Sequence, residues 1–127
     1  MIDRKIIADP AVHYGSPKAA TRTFILQRLT GALNVLFLAF FAWVVVRLAG
    51  AGRAEMVEVI ANPVVAIVLG LLIVNVCLHM RLGMREIIED YLDEGRVNRL
   101  GLLLNDMFAV GVGLIALLSL IKIVFWG

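Results

Sequence analysis

Charge is missing from three long stretches of this 127-residue chain. Leu29 to Val46 contains none, Val59 to Met80 contains none apart from the imidazole of His79, and Met107 to Gly127 contains only Lys122. A helix needs about 20 consecutive apolar residues to cross a bilayer, and about 17 suffice at the low end. Three spans are therefore predicted, with little chain left over. This excludes an ordinary small soluble domain, whose apolar share is about 45–50%, because here 61% of residues are hydrophobic and the mean hydropathy is +0.94.

Other absences narrow the chemistry. Cys77 is the only cysteine, so the chain forms no internal disulfide and cannot hold an iron–sulfur cluster by itself. Within a span it reads as a small apolar residue. No glycine fingerprint of a dinucleotide-binding fold is present, so no flavin domain is expected here, and no nucleic-acid motif is seen. The segment up to Thr23 contains Pro10, Gly15 and Pro17 but no apolar run. It matches neither a secretory signal nor an Arg-rich transit peptide and reads as a polar arm.

Most of the positive charge lies on one side. Arg4, Lys5, Lys18, Arg22 and Arg28 precede or open the first span, and Arg81, Arg85, Arg96 and Arg99 lie between the second and third, against Arg47, Arg53 and Lys122 elsewhere. Lysine and arginine near span ends are retained on the cytoplasmic side, which predicts a cytoplasmic N-terminus and a periplasmic C-terminus. The formal net charge of +2 conceals that asymmetry.

The expected organisation is a single all-α membrane-anchor domain over residues 1–127, with an arm at 1–22 and helices at about 23–48, 63–91 and 98–126. Thr21 or Thr23 offers a cap for the first helix, and Gly50 and Gly52 mark its end. Asn62-Pro63 opens the second, since proline is tolerated in a first turn, and Gly95 is a plausible stop before the third. The connections from Arg47 to Glu58 and from Arg81 to Asp106 are too short for further domains. Without a hydrophobic driving force between helices in lipid, such a unit relies on small residues and shared polar contacts. A partner subunit or bound cofactor is therefore expected.

Four features carry chemistry, each beside a plainer alternative. His79 is an ionisable group inside a span and a neutral imidazole, the usual axial ligand of haem iron; it also suits a packed or water-bonded histidine. Gly83 lies four residues on, on the same helix face, and makes room either for a flat macrocycle or for close helix packing. Arg28 stands in the first turns of span one, where its guanidinium either snorkels to the interface or meets a carboxylate such as a haem propionate. Asp90-Tyr91 closes the second helix in a cluster with Glu86 and Glu89, which read as solvated acids. Tyrosine there is a belt anchor or, through its phenol, a donor to a quinone carbonyl, with the adjacent carboxylate orienting it or relaying a proton.

Phe24-Ile25-Leu26-Gln27-Arg28-Leu29-Thr30, His79-x-x-x-Gly83-Met84 and Ile88-Glu89-Asp90-Tyr91 together resemble the hydrophobic membrane anchor subunit (the D subunit) of succinate dehydrogenase, respiratory complex II. The likeness extends through Leu102-Leu103-Leu104-Asn105 and Ile121-Lys122-Ile123 and covers about residues 22–127. It implies a multi-pass subunit of the bacterial inner membrane that links the tricarboxylic acid cycle to the respiratory chain. The resemblance makes His79 an axial iron ligand of haem b, with Arg28 near the propionates. It makes Tyr91 the hydrogen-bond partner of ubiquinone, with Asp90 as its neighbour. The implied partners are a flavoprotein subunit, an iron–sulfur subunit and a second cytochrome b anchor, which would supply the other haem ligand. A quinol:fumarate reductase anchor and a non-redox structural membrane subunit are the alternatives. Relatives often carry a basic residue after the Asp-Tyr pair, whereas Leu92-Asp93-Glu94 follows here.

Overall fold

The computed structural model describes residues 17–127. It contains α1 (Pro17–Leu48), α2 (Arg53–Ala61), α3 (Pro63–Tyr91) and α4 (Arg96–Trp126). Among the described residues there is no strand. Three of the helices, α1, α3 and α4, are long and apolar enough to cross a membrane, as the uncharged stretches predict. Residues 1–16 of the expected arm lie outside the described residues.

Two boundaries and one element differ from expectation. Within the described residues α1 covers Pro17–Leu48, so residues 17–22 of the expected arm are helical. Lys18-Ala19-Ala20 are strong helix formers. α4 begins at Arg96, directly after Gly95, whose φ of 154° and ψ of −158° are open only to glycine. The connection between the first two spans contains a helix not expected there, α2, built on the helix-favouring Arg53, Ala54, Glu55 and Met56. α2 stops where it does because Pro63 forces Asn62 out of the helical region, to ψ 127°. The Asn62 carboxamide then caps α3, accepting from the backbone N–H groups of Val64 at 3.0 Å and Val65 at 3.4 Å.

The helices form a row with α3 in the middle. α1 and α4 each pack on α3 and not on each other, and α2 bridges the end of the row where α1 finishes and α3 begins. Arg47 and Glu55 pair at 3.2 Å there, and Arg53 donates to the Gly127 carbonyl at 3.1 Å.

A row has two seams and no enclosed core. Among the described residues, Val44, Val65, Leu82 and Ala109 are the buried apolar side chains, and Thr30, Asn75 and Asn105 are buried with them. The α3/α4 seam is close because Gly101, Asn105, Ala109 and Gly113 recur every fourth residue on one stripe of α4. A Cβ at Gly101 would lie 3.3 Å from Ile88 Cγ2, and one at Gly113 would lie 3.4 Å from Cys77 Sγ. The outer faces, with Leu36, Val46, Ile67, Ile115 and Phe125 exposed, suit lipid or other apolar partners.

Candidate functional site

The α1/α3 seam holds the densest polar cluster in the apolar part of the chain. On α3, Asn75, His79 and Gly83 recur at i, i+4 and i+8 and so share one face. On α1, Gln27, Thr30, Gly31 and Asn34 recur at three- and four-residue steps and face them.

Thr30 is 3% exposed, and its Oγ1 lies 2.7 Å from the Leu26 carbonyl oxygen, 3.2 Å from that of Gln27 and 3.0 Å from His79 Nδ1. A hydroxyl bond back to the carbonyl four residues earlier is the usual way for a mid-helix threonine to satisfy its proton. Asn75 Nδ2 donates to the Thr30 carbonyl at 3.0 Å and to Asn34 Oδ1 at 2.7 Å. Gly31 admits the imidazole, since a Cβ there would stand 3.3 Å from His79 Cε1. The result is a histidine inside a membrane-capable helix whose Nδ1 is engaged. Its Nε2 has no hydrogen-bond partner among the described residues. An imidazole so held can present Nε2 to a metal.

Gly83 also makes room, and within this chain the room is taken by Gln27: a Cβ at Gly83 would lie 3.1 Å from Gln27 Nε2. At the other end of that amide, Gln27 Oε1 is buried without a partner among the described residues. Buried carbonyl oxygens normally find a donor, and none of the described residues supplies one at this end of the seam. Arg28 is exposed, with its guanidinium carbon 5.0 Å from the centroid of the Phe24 ring. It stands three residues before Gly31 and thus one turn from the histidine cluster.

Tyr91 is the last residue of α3 and is 82% exposed, with Asp90 also exposed beside it. The turn that presents them is fixed: Asn98 Nδ2 donates to the Leu92 carbonyl at 3.1 Å and lies 3.4 Å from that of Ile88. Glu89 pairs with Arg85 at 2.9 Å one turn apart, and Glu86 is exposed. Twelve residues of helix separate His79 from Tyr91, roughly 18 Å along the axis and about 120° around it. The structure therefore does not bring the imidazole and the phenol together; they mark two places on one helix.

The far face of α3 carries a second polar group. Arg81 Nε meets Asp106 Oδ1 at 2.7 Å, and Asn105 Nδ2 donates to the Arg81 carbonyl at 2.9 Å. These bonds tie α3 to α4 where the apolar stretches end.

The sequence profile of the succinate dehydrogenase/fumarate reductase transmembrane subunit family matches residues 5–121. The chain belongs to this family. No curated protein and no solved structure matches it. As a transmembrane subunit of the succinate dehydrogenase/fumarate reductase complex, it is a multi-pass membrane protein that associates with the other subunits of that complex.

Thr30, Asn34, Asn75, Gln27 and Gly31 do not stand out in the sequence as metal or quinone ligands. Their signal was present: polar residues at three- and four-residue steps inside an uncharged span mark the face that packs on another helix.

Proposed function

We propose that this subunit anchors a succinate:ubiquinone oxidoreductase in the bacterial inner membrane, lending one axial ligand to a haem b and donor groups to the ubiquinone-reduction site. The observation that carries the proposal is His79, an imidazole in a membrane-capable helix with Nδ1 held by Thr30 and Nε2 without a partner among the described residues. The residues fit haem in a specific way. His79 would supply one ligand, and since His13 lies in the polar arm, two-histidine ligation would take its second histidine from another chain, the second cytochrome b anchor in this reading. The unsatisfied Gln27 Oε1 in the same seam supports a site that other groups complete. A haem bound there supplies a one-electron redox centre at low dielectric.

The remaining roles belong to this chain's own side chains. Arg28, one turn from the cluster, offers a guanidinium fork to a propionate. Gly83 brings Gln27 within reach of the site and keeps that end of the seam narrow. Reduction of a quinone needs donors at its carbonyl oxygens and a supply of protons; the Tyr91 phenol donates the hydrogen bond and Asp90 orients it or relays a proton. Both lie on the side expected to face the cytoplasm from the distribution of arginine and lysine. Flavin and iron–sulfur chemistry belong to partner chains, since the single cysteine excludes a cluster here. Electron flow from succinate to ubiquinone, rather than from a quinol to fumarate, is tested by assaying succinate–ubiquinone reductase activity in membranes.

His79→Ala tests the central assignment. In the assembled complex it removes or shifts the reduced-minus-oxidised haem spectrum. An unchanged low-spin spectrum would refute the assignment and favour a purely structural histidine.

A further inference from the structure

Whether His79 can bind iron through Nε2 depends on where its single ring proton sits. A neutral imidazole carries that proton on either nitrogen, and a proton on Nε2 blocks ligation there. The neighbours decide it. Thr30 Oγ1 has one proton and three oxygen or nitrogen atoms around it: the Leu26 carbonyl at 2.7 Å, the Gln27 carbonyl at 3.2 Å and His79 Nδ1 at 3.0 Å. Had the hydroxyl donated to Nδ1, two acceptor oxygens would face each other at 2.7 Å with no hydrogen between them. The proton therefore goes to the helix carbonyl, and Oγ1 meets Nδ1 as an acceptor.

We propose that Thr30 is a positioning residue for the haem ligand: its hydroxyl fixes His79 in the tautomer protonated at Nδ1, leaving the Nε2 lone pair for iron. This inference rests on the haem reading above. The hold is reinforced through the backbone, because Asn75, one turn before His79 on α3, donates to the Thr30 carbonyl at 3.0 Å. Two atoms of Thr30 thus grip α3 one turn apart, which sets the hydroxyl against the ring in both height and direction. Gly31 contributes the clearance, since a side chain there would press on His79 Cε1. A hydrogen bond from Nδ1–H to an oxygen also makes Nε2 more electron-rich and a better donor to iron. Oxidised iron gains most from a stronger donor, so the bond lowers the reduction potential of the haem.

The test compares Thr30→Val, which keeps the shape and deletes the hydroxyl, with Thr30→Ser, which restores it. In the assembled complex, redox titration of the haem band should show an upward shift for Thr30→Val and the unaltered midpoint for Thr30→Ser. A spacer with no electronic role would give the same midpoint in all three proteins, and that result would overturn the proposal. Should Thr30→Val fail to retain haem, nitrogen-15 NMR of the full-length chain in lipid nanodiscs, at a pH where the ring is neutral, reads the tautomer without haem. The wild type should carry the His79 proton on Nδ1, and Thr30→Val should move it to Nε2 or to a mixture. A wild-type ring protonated on Nε2 would overturn the proposal even if His79 proves to be the ligand. Conversely, an unaltered haem spectrum in His79→Ala defeats the haem reading while the nitrogen spectrum still reports on the Thr30 contact.

Discussion

A single arginine illustrates how one residue serves two environments. Arg28 is exposed and rests over the Phe24 ring, an arrangement worth about 0.5–1 kcal/mol at an exposed site. Stacking of that kind holds the stem against the helix and leaves the guanidinium edge free to donate. If a propionate lies within its reach, the positive charge stabilises the reduced, more negative haem site and so raises its potential. Arg28→Leu should then lower the haem midpoint potential or weaken haem retention. Arg28→Lys keeps the charge without the planar fork and should fall between. Redox titration of the three complexes checks this, and coincident midpoints would leave Arg28 as an interfacial residue stacked on Phe24. The shift is opposite in sign to the one expected for Thr30→Val, because the arginine acts on the charge of the site and the threonine on the strength of the ligand.

The α1/α3 pair shows what hydrogen bonds between helices contribute in lipid. Asn75 joins Thr30 and Asn34 on the neighbouring helix, and in membranes such bonds are worth roughly 0.6–2 kcal/mol, less than the absence of water would suggest. Asn75→Ala should therefore lower the stability of the assembled subunit by about 1 kcal/mol, read as an earlier thermal loss of the haem band, with the spectrum at low temperature almost preserved. A variant as stable as wild type would show that the small-residue seam of α4 carries the assembly alone. The spans themselves were legible in the sequence because an uncharged run of that length has few alternatives to a membrane helix. His79 was legible for the same reason, as an imidazole amid hydrocarbon. α2 escaped notice because its residues differ from a loop mainly in helix propensity, a weak signal over 9 residues. Thr30 and Asn75 escaped because their roles depend on the register between α1 and α3. One strand of sequence shows which face of each helix is polar, but not which residue on one face meets which residue on the other.

At the scale of the molecule, a row of helices with α3 in the middle and both outer helices facing outward is an incomplete object. Its apolar flanks suit lipid, but its polar features do not: a histidine with one nitrogen and a buried carboxamide oxygen that find no partner among the described residues, and a tyrosine that is 82% exposed at the end of α3. Among the described residues the phenol stands on an open surface, so a quinone site built on Tyr91 would take further walls from outside them, with the neighbouring subunits of the complex the proposed source. That arrangement makes function separable from assembly. Tyr91→Phe keeps the ring, and with it any surface the neighbours pack on, while deleting one hydrogen-bond donor. The loss is about 0.5–1.5 kcal/mol for a neutral partner, or about two- to twelve-fold in rate, and more if negative charge develops on the quinone oxygen in the transition state. Quinone reduction should fall by that factor, whereas electron transfer from succinate to a soluble artificial acceptor, which bypasses the membrane site, should be unaffected. Asp90→Asn should give a similar or smaller defect, and one that varies with pH if the carboxylate relays protons. Loss of both activities from the membrane would indicate that the soluble subunits had detached and that Tyr91 is an assembly contact. Full quinone reductase activity in Tyr91→Phe would return Tyr91 to the interfacial belt and leave the chain with its histidine as the sole functional group.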